Sequence, residues 1–110
     1  MGTRAFHKTL SSAQVVNANA TAYSEPFDAT NAMGVSFHMV STGATVGTAT
    51  VQHSNDGSSW EDTTTTFTFT NTLNSVKQIG PTYIGFYRLK YAPTTGNATI
   101  TTKALGKVGA

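Results

Sequence analysis

The stretch Val51-Gln52-His53-Ser54-Asn55-Asp56-Gly57-Ser58-Ser59-Trp60-Glu61-Asp62 decides the fold class. Ala49 and Val51 alternate with Thr48, Thr50 and Gln52, the period of two expected of a strand with one apolar face. Asn55-Asp56-Gly57 then supplies a turn, because Asp-Gly tolerates the positive φ that a hairpin connection requires. Trp60, the one tryptophan, follows the turn directly.

Alternation recurs on both sides of this segment. Val35, Phe37 and Met39 alternate with Ser36, His38 and Val40; Phe67 and Phe69 sit among Thr66, Thr68 and Thr70. Tyr87, Leu89 and Tyr91 alternate with Phe86, Arg88 and Lys90, and Ala98, Ile100 and Ala104 with Thr99, Thr101 and Lys103. Turn residues separate these runs at Ser41-Thr42-Gly43-Ala44, Asn71 to Ser75, Gly80-Pro81 and Pro93 to Gly96. No segment keeps a helical period. The pattern predicts an all-β antiparallel β-sandwich or jelly roll, with strands near 35–41, 47–54, 59–62, 65–70, 76–79, 84–92 and 97–105. The expected core is Val35, Phe37, Met39, Val51, Trp60, Phe67, Phe69, Tyr87, Leu89 and Ile100.

The 110 residues make one domain with one modest core. Residues 13–105 read as the sandwich. Residues 1–12 carry Arg4, Phe6, Lys8 and Leu10 on one alternating face, a mixed face that suits an edge strand or an arm reaching a neighbour. Residues 106–110 read as a short C-terminal tail. Met1 to Arg4 is not followed by an apolar run, so no signal peptide is expected, and no run is long enough to span a membrane. With no cysteine there is no disulfide framework.

Only 11% of the residues are charged, against an ordinary figure of about 25%, while 21 are threonine. Few charges mean little self-repulsion and little penalty when surfaces meet, which fits a subunit of an assembly. The net charge is +2, and the cations Arg4, Lys8, Lys77, Arg88, Lys90, Lys103 and Lys107 lie scattered along the chain. Without a basic stripe, no specific nucleic-acid binding is expected.

No catalytic residue, metal site or cofactor is expected. His7, His38 and His53 lie far apart, without the short spacing of a zinc site. Glu61 and Asp62 are adjacent and face opposite ways on a strand, so they do not form a hydrolase pair. Asp56 has a role in the turn together with Asn55 and Gly57. Phe86 stands opposite Tyr87 and Leu89, leaving a large ring on the other face. The candidate partner-binding residues are Arg4, Phe6, Lys8, Leu10, Phe86 and Arg88.

Asn55-Asp56-Gly57 with Trp60, then Phe86-Tyr87-Arg88-Leu89-Lys90-Tyr91, then Thr94-Thr95-Gly96-Asn97-Ala98-Thr99-Ile100, resembles small virion proteins of tailed bacteriophages. The likeness covers about residues 33–109 and includes a short Lys/Gly-containing tail. The first two motifs also resemble discoidin-type, galactose-binding-like β-sandwiches, although the chain lacks the N-terminal loops that usually form their sugar site. The phage resemblance implies a structural virion protein made in the bacterial host cytoplasm. It further implies a capsid decoration (cement) protein at the capsid surface, an oligomer whose partners are the major capsid protein and copies of itself. The alternatives are a tail or fibre component, or a carbohydrate-binding module that takes host glycans on exposed aromatics.

Overall fold

The computed structural model describes residues 4–80 and 84–108, the side chains of Arg4 and Val108 excepted. Those residues form nine strands and no helix: β1 (Arg4–Val16), β2 (Ala22–Tyr23), β3 (Phe27–Asp28), β4 (Gly34–Thr42), β5 (Val46–Ser54), β6 (Glu61–Thr68), β7 (Thr72–Ile79), β8 (Phe86–Thr95) and β9 (Ala98–Val108). One sheet has the order β1-β9-β4-β7 and the other β2-β8-β5-β6, with β3 also on β8. Every pairing is antiparallel. With β2 and β3 counted as one interrupted strand, first pairs with last, second with next to last, and so inward to β5 with β6. The chain is one long hairpin rolled into two sheets, which is the jelly roll.

The second strand breaks because of its sequence. Pro26 has no N–H to give to the ladder. Ser24 bridges the gap: its backbone N–H donates to the Leu89 carbonyl at 2.9 Å, and its hydroxyl oxygen accepts the Leu89 N–H at 2.8 Å. The Ser24 side chain thus joins its own backbone N–H in holding Leu89 across the break.

The core lies between the sheets. Phe37, Met39, Val51, Phe67, Phe69, Tyr87, Leu89 and Ile100 are at most 2% exposed, and Val35 is buried beside them. A fully buried side chain of this size contributes about 1.5–3 kcal/mol. Tyr91 brings a hydroxyl into the interior and satisfies it between Ser11 Oγ (2.8 Å) and Thr102 Oγ1 (2.7 Å). Burial pushes that phenol above its usual pKa.

Several sequence expectations need correction. Trp60 is not in the core; it is half-buried. It precedes β6 rather than belonging to it, so alternation does not fix its side. The strands expected at 59–62 and 65–70 are one strand, β6, kinked where Thr63 Oγ1 donates to the Val51 carbonyl (2.8 Å) and accepts the Thr65 N–H (3.1 Å). The polar run Asn71 to Ser75 is mostly the start of β7, because Thr72 to Ser75 pair with Met39 to Thr42.

The ends also differ. From Arg4 onward the N-terminal segment is an edge strand paired with β9, and it continues past residue 12 to Val16. Its mixed face points inward. Leu10 is buried, and the Phe6 ring stacks on Phe27 with centroids 5.4 Å apart. Phe6 also lies across Gly106, where an added Cβ would come within 2.7 Å of its ring. Gly106, Lys107 and Val108 therefore belong to β9; Gly109 and Ala110 lie outside the described residues.

Candidate functional site

The outer face of the β8-containing sheet carries a connected cluster. Arg88 and Lys90 project outward from β8 because their neighbours Tyr87, Leu89 and Tyr91 project inward. The pairing Arg88↔Gln52↔Asp62 sets one row across β8, β5 and β6, and Tyr23↔Lys90 begins the next. The Arg88 guanidinium lies 4.0 Å from the Tyr23 ring centroid and 4.4 Å from that of Trp60, held between two aromatic faces. A cation over a ring contributes about 0.5–1 kcal/mol when exposed and about 2 kcal/mol when desolvated. Trp60 thus has its partner on the surface.

Hydrogen bonds continue the row. Arg88 Nε donates to Gln52 Oε1 at 2.8 Å, and Gln52 Nε2 donates to Asp62 Oδ1 at 2.8 Å. Lys90 Nζ lies 2.8 and 3.0 Å from the two Asp62 oxygens. Lys90, then Gln52, holds the Asp62 carboxyl below its usual pKa. Glu61 points the other way and meets His53 at 3.1 Å. The cluster therefore uses its charges against one another and holds strands β2, β8, β5 and β6 in one arrangement.

At the tip of the rolled hairpin, residues 55–60 are organised by one carboxylate. Asp56 Oδ1 accepts the Ser54 hydroxyl and the N–H groups of Ser58 and Ser59 at 2.8–2.9 Å. Ser54 Oγ in turn accepts the Asp56 and Gly57 N–H groups. The Ser59 and Ser58 N–H groups and the Ser54 hydroxyl hold the Asp56 pKa at about 2. Gly57 has φ +78°, the left-handed conformation expected of it.

The proposed partner-binding residues separate. Phe6, Lys8 and Phe86 come together around an open pocket of about 310 Å³ at one long edge, with Pro26, Phe27 and Asp28. Lys8 reaches the Pro26 carbonyl at 3.0 Å and so crosses from one sheet to the other. Leu10 is in the core and presents nothing to a partner. Arg88 belongs to the aromatic cluster on the other sheet's outer face, and the Arg4 side chain lies outside the described residues. His7 and His38 are exposed, and His38 bonds Asn74. Sequence reasoning missed Tyr23, Gln52 and Asp62 as members of the cluster. The shared face of Arg88 and Lys90 was the signal that could have led to them.

No protein-family model and no curated protein matches the sequence. The fold is shared with known structures. The SPBc2 prophage-derived protein YomS superposes with a TM-score of 0.68 at 11% identity, over 97% of this chain and 96% of that one. The VP2 subviral particle of infectious bursal disease virus gives 0.61 at 12% identity over 97% of this chain, which spans 33% of VP2. A family 29 carbohydrate-binding module gives 0.53 at 10% identity, over 96% of this chain and 90% of that one.

Proposed function

We propose that this chain is a structural protein of a tailed-bacteriophage particle, a decoration protein that binds the capsid surface and bridges capsomers. The observation that carries this reading is the end-to-end correspondence of its jelly roll with a prophage-derived protein of nearly equal extent. The same fold in a viral particle protein supports it, as do the phage-like motifs at Asn55-Asp56-Gly57 and Phe86 to Tyr91. The role is mechanical. Contacts that are weak singly become strong when repeated over a lattice, because each attachment raises the effective concentration for the next. The partners are the major capsid protein and further copies of this chain.

The test is immunogold labelling of particles released by cells that make this chain. Label on the head is the expected result. Label on the tail would make the chain a tail or fibre component, and its absence from particles would overturn the proposal.

The Tyr23–Arg88–Trp60 cluster favours a second reading, a glycan-binding module. Tyr23 is exposed and Trp60 half-buried, so ring surface beyond the Arg88 contact is open to a sugar's apolar face. A glycan array on the purified chain tests it, with Trp60→Ala as the variant that should lose the signal.

A further inference from the structure

The cations that look scattered in sequence are segregated by the topology. Strands β1, β9, β4 and β7 hold Arg4, Lys8, Lys77, Lys103 and Lys107 and no carboxylate, a formal +5. The rest of the chain holds Arg88 and Lys90 against Glu25, Asp28, Asp56, Glu61 and Asp62, a formal −3. The two sheets pack back to back; Lys8 reaches across to the Pro26 carbonyl and Lys77 lies over the Phe67 ring of the other sheet, so the lysines that project from the outer face of the carboxylate-free sheet are Lys103 and Lys107.

The sides also differ in what their charges do. Asp62 pairs with Lys90, Glu61 meets His53, Asp28 accepts from Thr30, and Asp56 is consumed by its turn. On the basic sheet, alternation along β9 puts both Lys103 and Lys107 outward, with Ala104 and Gly106 buried between them. Four residues of strand separate the two lysines by about 13 Å. Among the described residues the side chains of both lysines make no hydrogen bond or ion pair, and neither does the His7 side chain on β1. Lys103, His7, His38, Thr9, Val76 and Leu105 border a shallow trough of about 430 Å³. Val40 and Val76 are exposed on this face at 38% and 60%.

We infer that the outer face of the β1-β9-β4-β7 sheet docks against an acidic protein surface, with Lys103 and Lys107 meeting its carboxylates. This rests on the proposed decoration role, in which that surface belongs to the capsid shell. A second copy of this chain is a poorer partner, because most of its carboxylates are already engaged. Nucleic acid is also poorer: exposed valines and hydroxyls beside Lys103 suit a protein patch, whereas phosphate binding calls for a dense basic stripe.

The experiment is co-sedimentation of the full chain with particles released by cells that make it, stripped of the endogenous protein. Two double variants, each lowering net charge by two, are compared with the unaltered chain: Lys103→Gln with Lys107→Gln on the basic face, and Thr48→Glu with Thr66→Glu on the opposite one. The lysine variant should bind about tenfold more weakly and lose much of the salt dependence, while the threonine variant binds as the unaltered chain does. Circular dichroism confirms that each variant is folded. Equal binding by the lysine variant and the unaltered chain would overturn the inference while leaving the decoration role standing. Failure of the unaltered chain to bind any particle would overturn both. Two further measurements bear on the identity of the partner: retention of the lysine-dependent signal by a random-sequence DNA duplex without particles, or by the free chain self-associating in sedimentation velocity, would each replace the acidic protein surface with that partner.

Discussion

The two outer faces of this sandwich use charge in opposite ways. Over β2-β8-β5-β6, Arg88, Gln52, Asp62 and Lys90 form one connected chain of contacts, with Tyr23 and Trp60 against its Arg88 end. Over β1-β9-β4-β7, Lys103 and Lys107 stand among threonines and valines with no carboxylate in the sheet. The first face spends its charges on holding its own strands together. The second leaves them for something else. Charged side chains thus hold the strands together on one outer face, while Lys103 and Lys107 stay unengaged on the other.

The comparison predicts a graded set of mutational effects. The largest belong to the shared interior, where the two sheets should be equivalent. Leu89→Ala from one and Ile100→Ala from the other should each cost about 2–5 kcal/mol in denaturant unfolding. A loss below about 0.5 kcal/mol from either would mean that its sheet is peripheral. Next, Gly57→Val should destabilise by about 1–2 kcal/mol, because a branched residue must adopt φ +78° there, and by more than Ser58→Val. Equal costs would remove the turn geometry at the tip.

The faces themselves come next. Arg88→Ala should cost about 1–2 kcal/mol, since it removes contacts with two rings and the donor to Gln52. Lys103→Ala should stay within about 0.5 kcal/mol. Matching values would erase the contrast. The smallest effect is on pH. Asp56 has a pKa depressed to about 2 in the folded chain. Its contribution is therefore complete above the unfolded carboxylate value near 4 and is lost as pH falls through about 2. Protection of the Ser58 and Ser59 amides, taken relative to the intrinsic exchange rate at each pH, should fall across that window and stay level across neutral pH. The Asp56→Asn variant should lack the transition.

Much of the interior was legible because alternation is local. Val35, Phe37, Met39, Val51, Phe67, Phe69, Tyr87, Leu89 and Ile100 read correctly from neighbours two residues away. Trp60 did not, since it lies just outside its strand and its partner Arg88 is remote in sequence. Leu10 was misread because Lys8 beside it made the face look polar, whereas that lysine sits at the sandwich edge and spans to Pro26. The two-residue strands β2 and β3 are too short to show a period. The segregation of charge was hidden for a different reason. Lys8, Lys77 and Lys103 are distant along the chain and share a sheet only because first pairs with last and third with sixth. The hydroxyl-rich, weakly charged surface was visible in composition, but which face keeps its charges unpaired follows from topology alone.

The pairing of Arg4 with Val108 and of Val16 with Ala98 also governs how the molecule is made. A ribosome adding about 5–20 residues per second produces β1 roughly 5–20 s before its partner strand is complete. Throughout that interval Leu10 and Val16 have no β9 to lie beside, and the edge of β4 that will accept β9 is bare. The tip hairpin β5–β6 closes early, and the remaining pairs can then form outward from it, with the terminal pair among the last. Contacts this distant in sequence place the domain among slow folders, in the millisecond-to-second range once the chain is free.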